Sequence, residues 1–325
     1  MMLEGLLDLE SREGKAPGGY CDTLHARGRP FVFMNAAGVP VDVTTLLHEA
    51  GHCFHAFASH ARPFIWQRNP GAESAELASM SMELLAAPHL VQPMGFYAEA
   101  DALSARLEHL EDLLLSLAHI ASVDKFQSWI YTDAGGRDAA ARDRAWLAIR
   151  DRFEPGVDWS GLEAERVARW YRQLHIFLYP FYYIEYGIAQ IGALQVWRNA
   201  RRDPAAAIAA YRRFLALGAT RPLPELYRAA GVELTFDARV LAELVAMVEE
   251  EMAALRGRHR GSVSPSAARG RRAARGTLRP LGRCPLATRV VQLTRGDRAQ
   301  RPHRCVPGRL AADSPGLQGA RSLWW

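Results

Sequence analysis

His48, Glu49 and His52 stand in the order His-Glu-Ala-Gly-His, and Glu76 follows 24 positions after the second histidine (76 − 52 = 24). Two imidazoles four residues apart on a helix project from one face, close enough to hold one metal ion between them. The carboxylate beside the first imidazole is then a candidate base for a water that the ion activates. A later carboxylate can complete a His₂Glu zinc site. Glu76 shares a helical face with Met80 and Glu83, while Glu73 lies one turn earlier as a rival ligand. Glu83 could act behind the ligands by orienting a ligand histidine. On residue type alone, all three glutamates could equally be solvated helix positions.

A second chemistry-bearing group lies further along. His175, Tyr179, Tyr182, Tyr183 and Tyr186 fall within twelve residues (186 − 175 + 1 = 12). Phenol and imidazole donors aimed at a carbonyl would stabilise the oxyanion formed when water adds to it. Aromatic clusters at helical spacing also build cores, and Phe177, Phe181, Ile184, Ile188 and Ile191 fit that packing role. A histidine with several tyrosines needs polar partners if buried, which favours a cleft for those residues.

These groups require particular elements to hold them. Asp42-Val-Thr-Thr offers an N-cap before a run of helical periodicity. Val43, Leu46, Leu47, Ala50, Phe54 and Phe57 form its expected buried stripe, with His48, His52, His55 and Ser59 on a second stripe. Glu73 to Ala87 reads as a helix stopped by Pro88. Pro180 predicts a helix that starts there, with Tyr183 and Tyr186 on one face. Pro30 to Asn35 is the best strand candidate, and turn-rich flanks suggest a small sheet beside the metal helix. An edge strand there could pair with an extended peptide. Long helices are expected between Gly95 and Tyr131, followed by helices over 138–152, 162–174, 205–217, 224–230 and 238–255. The fold class expected is mainly α with a small β-sheet.

Composition changes near residue 256. From Arg256 onward the chain has 16 arginines, no lysine, and only Asp297 and Asp313 as acids, a balance of +14. The remainder carries 24 basic and 33 acidic residues, or −9, so the overall +5 describes the tail. The acidic main part gives no case for nucleic-acid binding, and only the tail could act as a basic arm. Residues 1–255 are therefore expected to form the folded domain. The Arg/Gly/Pro-rich stretch 256–325 is expected to be disordered, for it buries too little apolar surface to offset its ordering entropy. No run of 18 apolar residues predicts a membrane span, and the acidic start does not read as a secretory signal. Cys21, Cys53, Cys284 and Cys305 show no metal spacing or disulfide framework, which fits a reducing cytoplasm.

Several stretches together resemble the oligoendopeptidase F and thimet oligopeptidase zinc metallopeptidases. They include Lys15-Ala-Pro-Gly-Gly-Tyr-Cys, Pro30-Phe-Val-Phe-Met-Asn, Asp42 through His55, Ala75 through Glu83, Val123 through Tyr131, His175 through Gly187, and Tyr211 through Gly218. The resemblance runs in order from about residue 3 to about residue 255. It implies a gluzincin-like (thermolysin-type zinc helix) domain and a zinc endopeptidase that cuts short peptides. One Zn²⁺ would be held by His48, His52 and Glu76, with Glu49 as general base. His175, Tyr183 and Tyr186 would stabilise the oxyanion, Tyr182 remaining a competitor for Tyr183. Tyr179 and Tyr182, with Phe33, Met34 and Asn35 of the strand, would contact substrate. Members of that family are longer, and an additional N-terminal helical region walls their substrate channel. The runner-up expectation is therefore a fragment that binds zinc and peptide without efficient turnover. Cys53 departs from the small residue, usually alanine, common at its position.

Overall fold

The computed structural model describes residues 1–154 and 156–262. Three strands open the chain: β1 (Leu7–Glu10), β2 (Gly19–Leu24) and β3 (Arg29–Ala36). Eleven helices follow among the described residues: α1 (Pro40–Ser59), α2 (Ile65–Arg68), α3 (Ala72–Ala86), α4 (Glu99–Thr132), α5 (Ala139–Phe153), α6 (Glu163–Ala168), α7 (His175–Leu178), α8 (Ile184–Arg202), α9 (Pro204–Leu217), α10 (Leu223–Ala229) and α11 (Ala238–Ser262). Among the described residues the chain is mainly helical with one small sheet, as its periodicities imply.

The main core lies where α3, α4, α8, α9 and α11 meet. Leu77, Leu84, Leu110, Leu194, Phe214, Leu244 and Leu255 are buried there. Helix α3 is buried on more than one side, with Leu77 and Leu84 in the core and Glu76 and Glu83 also buried. A second cluster joins α4 and α5 to the segment before α8, through Val123, Phe126, Trp146, Trp170 and Ile176. Val32, Met34 and Cys53 tie the sheet to α1.

Several local expectations need correction. Pro30 to Asn35 does form a strand, but β3 is the middle one, in the order β1-β3-β2. It pairs parallel with β1 and antiparallel with β2, so its backbone is occupied on both sides. An edge role for β3 is therefore wrong; strand order depends on where the flanking turns return the chain, which strand residues do not encode. The stretch 162–174 is no continuous helix: α6 ends at Ala168 and a 3₁₀ turn, Arg169–Arg172, follows. Helix α8 starts at Ile184 with Tyr183 as its N-cap, four residues later than Pro180. Phe181 intervenes with φ 62°, a left-handed backbone that a bulky residue rarely adopts and that breaks the helix register. The tail expected from residue 256 overlaps α11, whose helical backbone continues to Ser262. The rest of that tail, with Cys284 and Cys305, lies outside the described residues.

Candidate active site

Helix α1 begins two residues before Asp42. Pro40 occupies the first helical position, where its missing N–H costs nothing. Asp42 sits one turn in and accepts from the backbone N–H groups of Gly38 (2.7 Å) and Val39 (2.9 Å). The buried face is also not the expected one. Phe54 and Phe57 are exposed, while His48, Glu49, Gly51, Cys53, His55 and Ser59 are buried. The imidazole face of α1 packs on α3, because α3 brings its own polar groups to meet it.

Gly51 makes that approach possible. A Cβ at this position would lie 2.5 Å from Ser79 Cα and 2.8 Å from the Ala78 carbonyl oxygen. Both neighbours are backbone and cannot swing away. Gly51→Ala is accordingly expected to cost about 1–3 kcal/mol as the two helices are forced apart. Urea unfolding would measure this, and an unchanged midpoint would mean that the helices can separate freely.

The close packing brings three candidate ligands together. Single ligand atoms of His48, His52 and Glu76 lie within 4.8 Å of one another. Glu76 Oε2 is 3.2 Å from His48 Nε2 and 3.9 Å from His52 Nε2. Ligands at 2.0–2.1 Å from a tetrahedral zinc would be about 3.3 Å apart, so the donor set fits with small side-chain adjustments. Glu73 is not in this group among the described residues.

Glu83 stands behind His48. Its Oε1 is 2.7 Å from His48 Nδ1, and its Oε2 is 2.7 Å from His109 Nε2. Burial raises its pKa, but hydrogen bonds from His109 and His48 outweigh that and hold it at about 2. An ionised carboxylate only accepts, so His48 donates from Nδ1. Burial lowers the pKa of His48, but the hydrogen bonds to Glu76 and Glu83 outweigh that and raise it well above the ordinary imidazole value, so a metal would take the place of the Nε2 proton. His109, on α4, gave no sequence signal beyond being one histidine in a helical run. Glu83→Ala is expected to weaken metal binding about 10- to 100-fold. Competition against a chromogenic chelator would measure this, and unchanged affinity would remove Glu83 from the site.

Glu49 is buried beside the trio, 3 % exposed, with an oxygen, Oε2, that no protein group satisfies. Burial above all, helped by Glu76 and Glu83 against the opposing effect of His48, pushes its pKa up to about 7. His55, the next imidazole along the face, packs on Phe214 at 5.4 Å and stands outside the ligand trio.

The tyrosine element gathers around His175. Its ring centroid lies 4.9 Å from Tyr183, 5.9 Å from Tyr182, 6.0 Å from Tyr186 and 6.3 Å from Tyr179. Burial lowers the pKa of His175 and raises that of Tyr183. Burial, then the charge of Glu76, lifts Tyr186 far above the usual phenol range. Burial and the charges of Glu73 and Glu76 push Glu185 up to about 7. The start of α8 thus senses the carboxylates of α3. Gly192 further along lets the helices close, since a Cβ there would be 2.8 Å from Leu77 Cδ1. Tyr182 and Tyr183 both face His175, so either phenol remains a candidate donor.

The three strand residues are engaged within the protein. Met34 is buried in the sheet core, Asn35 donates to the Lys15 carbonyl (3.2 Å), and Phe33 stacks on Tyr20 at 5.1 Å. Cys21 and Cys53 are free thiols with sulfurs 3.6 Å apart.

Comparison with known proteins follows the same lines. The profile of peptidase family M3 matches residues 1–246. The oligoendopeptidase F homolog of Borreliella burgdorferi (strain ATCC 35210 / DSM 4680 / CIP 102532 / B31) is 23% identical over 252 residues, covering 74% of this chain and 40% of its own. PZ peptidase A, solved with an inhibitor, superposes with a TM-score of 0.71 at 34% identity, covering 78% of this chain and 44% of that one. A structure reported as an oligoendopeptidase F superposes with a TM-score of 0.70 at 35% identity, with the same 78% and 44% coverage. The chain spans less than half the length of these relatives.

Proposed function

The chain belongs to peptidase family M3, and from that premise we propose that it is a zinc endopeptidase that hydrolyses short, extended peptides. The observation that carries this reading is the convergence of His48, His52 and Glu76 beside a buried, unpartnered Glu49 oxygen. Two imidazole nitrogens and one carboxylate oxygen are the donor set of catalytic zinc sites, which leave a coordination position open. A zinc ion held there would supply Lewis acidity.

The chain's own residues do the rest. Glu49 takes a proton from the attacking water onto its carboxylate and passes it to the nitrogen of the leaving amine. His175, with Tyr183 or Tyr182 and with Tyr186, donates to the substrate carbonyl oxygen as it gains charge. Burial keeps the Tyr183 and Tyr186 phenols protonated and able to donate. Tyr179, 40 % exposed, would contact the peptide. No helix among the described residues is long and apolar enough to cross a membrane. A cytoplasmic setting is proposed on the cysteine usage alone.

The test is cleavage of an internally quenched short peptide before and after metal removal. Treatment with 1,10-phenanthroline should bring cleavage to background, and one equivalent of zinc should restore it. Tight zinc binding without cleavage would favour the second reading, a domain that holds metal and peptide but does not turn over. Full cleavage by metal-free protein would overturn the zinc mechanism.

A further inference from the structure

We propose that Arg150, His119 and Gln173 are positioning residues for the peptidase reaction: they form a one-way hydrogen-bond relay that holds His175 neutral with its proton on Nε2. The inference deepens the functional reading above and rests on it for the role of His175. The relay itself follows from donors and acceptors. Arg150, on α5, is 4 % exposed and pairs with Glu154, which Arg169 also contacts at 2.7 Å. Its Nη1 lies 3.2 Å from His119 Nδ1 and 3.1 Å from the Ser122 hydroxyl, both on α4. His119 Nε2 lies 3.0 Å from Gln173 Oε1, and Gln173 Nε2 lies 2.8 Å from His175 Nδ1.

Direction enters at the guanidinium, which has five donors and no acceptor. His119 Nδ1 must therefore accept, so this imidazole carries its proton on Nε2. That N–H requires an acceptor opposite it, which selects the Gln173 amide orientation with its oxygen toward His119. The reverse orientation would set two N–H donors against each other. The Gln173 NH₂ then faces His175 Nδ1, which must accept in turn. The one remaining proton of His175 sits on Nε2, leaving that nitrogen a donor for substrate.

Other features point the same way. Burial lowers the pKa of both His119 and His175, favouring the neutral rings that the relay requires. Burial also lowers Arg150, to about 10, still well above neutral pH, so its charge and donors persist. A wrong tautomer at His175 would present a lone pair to the developing negative charge. The four relay residues come from α4, α5, the loop before α7, and α7 itself, and no local motif announces them.

The experiment is a long-range ¹H–¹⁵N correlation spectrum of the whole chain labelled with ¹⁵N-histidine, with the His175 signals identified by their loss in His175→Gln. The expected result is a neutral His175 with a proton-bearing Nε2 and a bare Nδ1. A proton on Nδ1, in either the other tautomer or the imidazolium, would overturn the relay. In Gln173→Met the same signals should average toward a tautomer mixture, with kcat reduced about tenfold and KM changed less than about twofold. An unshifted tautomer in a folded Gln173→Met chain would also overturn it. The unsubstituted chain decides the matter if that variant does not fold. The functional reading can fail separately, through full cleavage by the metal-free chain; full cleavage by His175→Gln would instead overturn the positioning role of the relay, whichever nitrogen of His175 carries the proton.

Discussion

Glu49→Gln is expected to lower kcat by about 10²- to 10⁴-fold while leaving one zinc per chain in place. The substitution keeps the shape of the side chain and removes only its capacity to take a proton. Its neighbours make that capacity unusual. Glu49 is buried next to the ligand trio, has an oxygen with no protein partner, and is not itself one of the three converging groups. The loss corresponds to about 3–5 kcal/mol of transition-state stabilisation. Cleavage of a quenched peptide, measured alongside zinc content, separates the two roles. Loss of zinc with loss of rate would mean that Glu49 supports the metal; an unchanged rate would remove it as the base.

Glu76→Ala is expected to weaken zinc binding at least about 100-fold and to abolish cleavage at limiting metal, a larger effect than losing an outer partner such as Glu83. Its oxygen is the point shared by the two imidazoles, at 3.2 Å and 3.9 Å. It also accepts from the Ser79 hydroxyl at 3.1 Å, which fixes the carboxylate's orientation. Glu73→Ala is the matched comparison, because Glu73 lies one turn earlier on the same helix and outside the trio. It should leave zinc affinity within about twofold. A chelator titration of both variants would settle which glutamate completes the site, and the reverse ranking would transfer the role to Glu73.

The pairing of His48 with His52 was legible because an i, i+4 pair faces one way whatever the fold, whereas residue type left Glu73, Glu76 and Glu83 open and only the family resemblance singled out Glu76. What lay between helices was not legible. The apolar stripe through Phe54 and Phe57 looked buried by periodicity, yet α1 buries its imidazole side because Gly51 lets α3 come close there. The strand at Pro30–Asn35 was visible from its residues, but its central place depends on β1 and β2 returning to either side. Pro180 marked a break without showing that Phe181 would turn left-handed and delay α8 to Ile184. His109 supports Glu83 from 26 residues away, and Arg150 reaches His119 across 31. Such links join single residues on separate elements, and periodicity carries no record of them.

The most direct test is anomalous diffraction recorded at the zinc edge from crystals of the zinc-loaded chain. A single peak is predicted about 2.0–2.2 Å from His48 Nε2, His52 Nε2 and a carboxylate oxygen of Glu76. A peak that is bound elsewhere, or that leaves Glu76 outside bonding distance, would contradict the account.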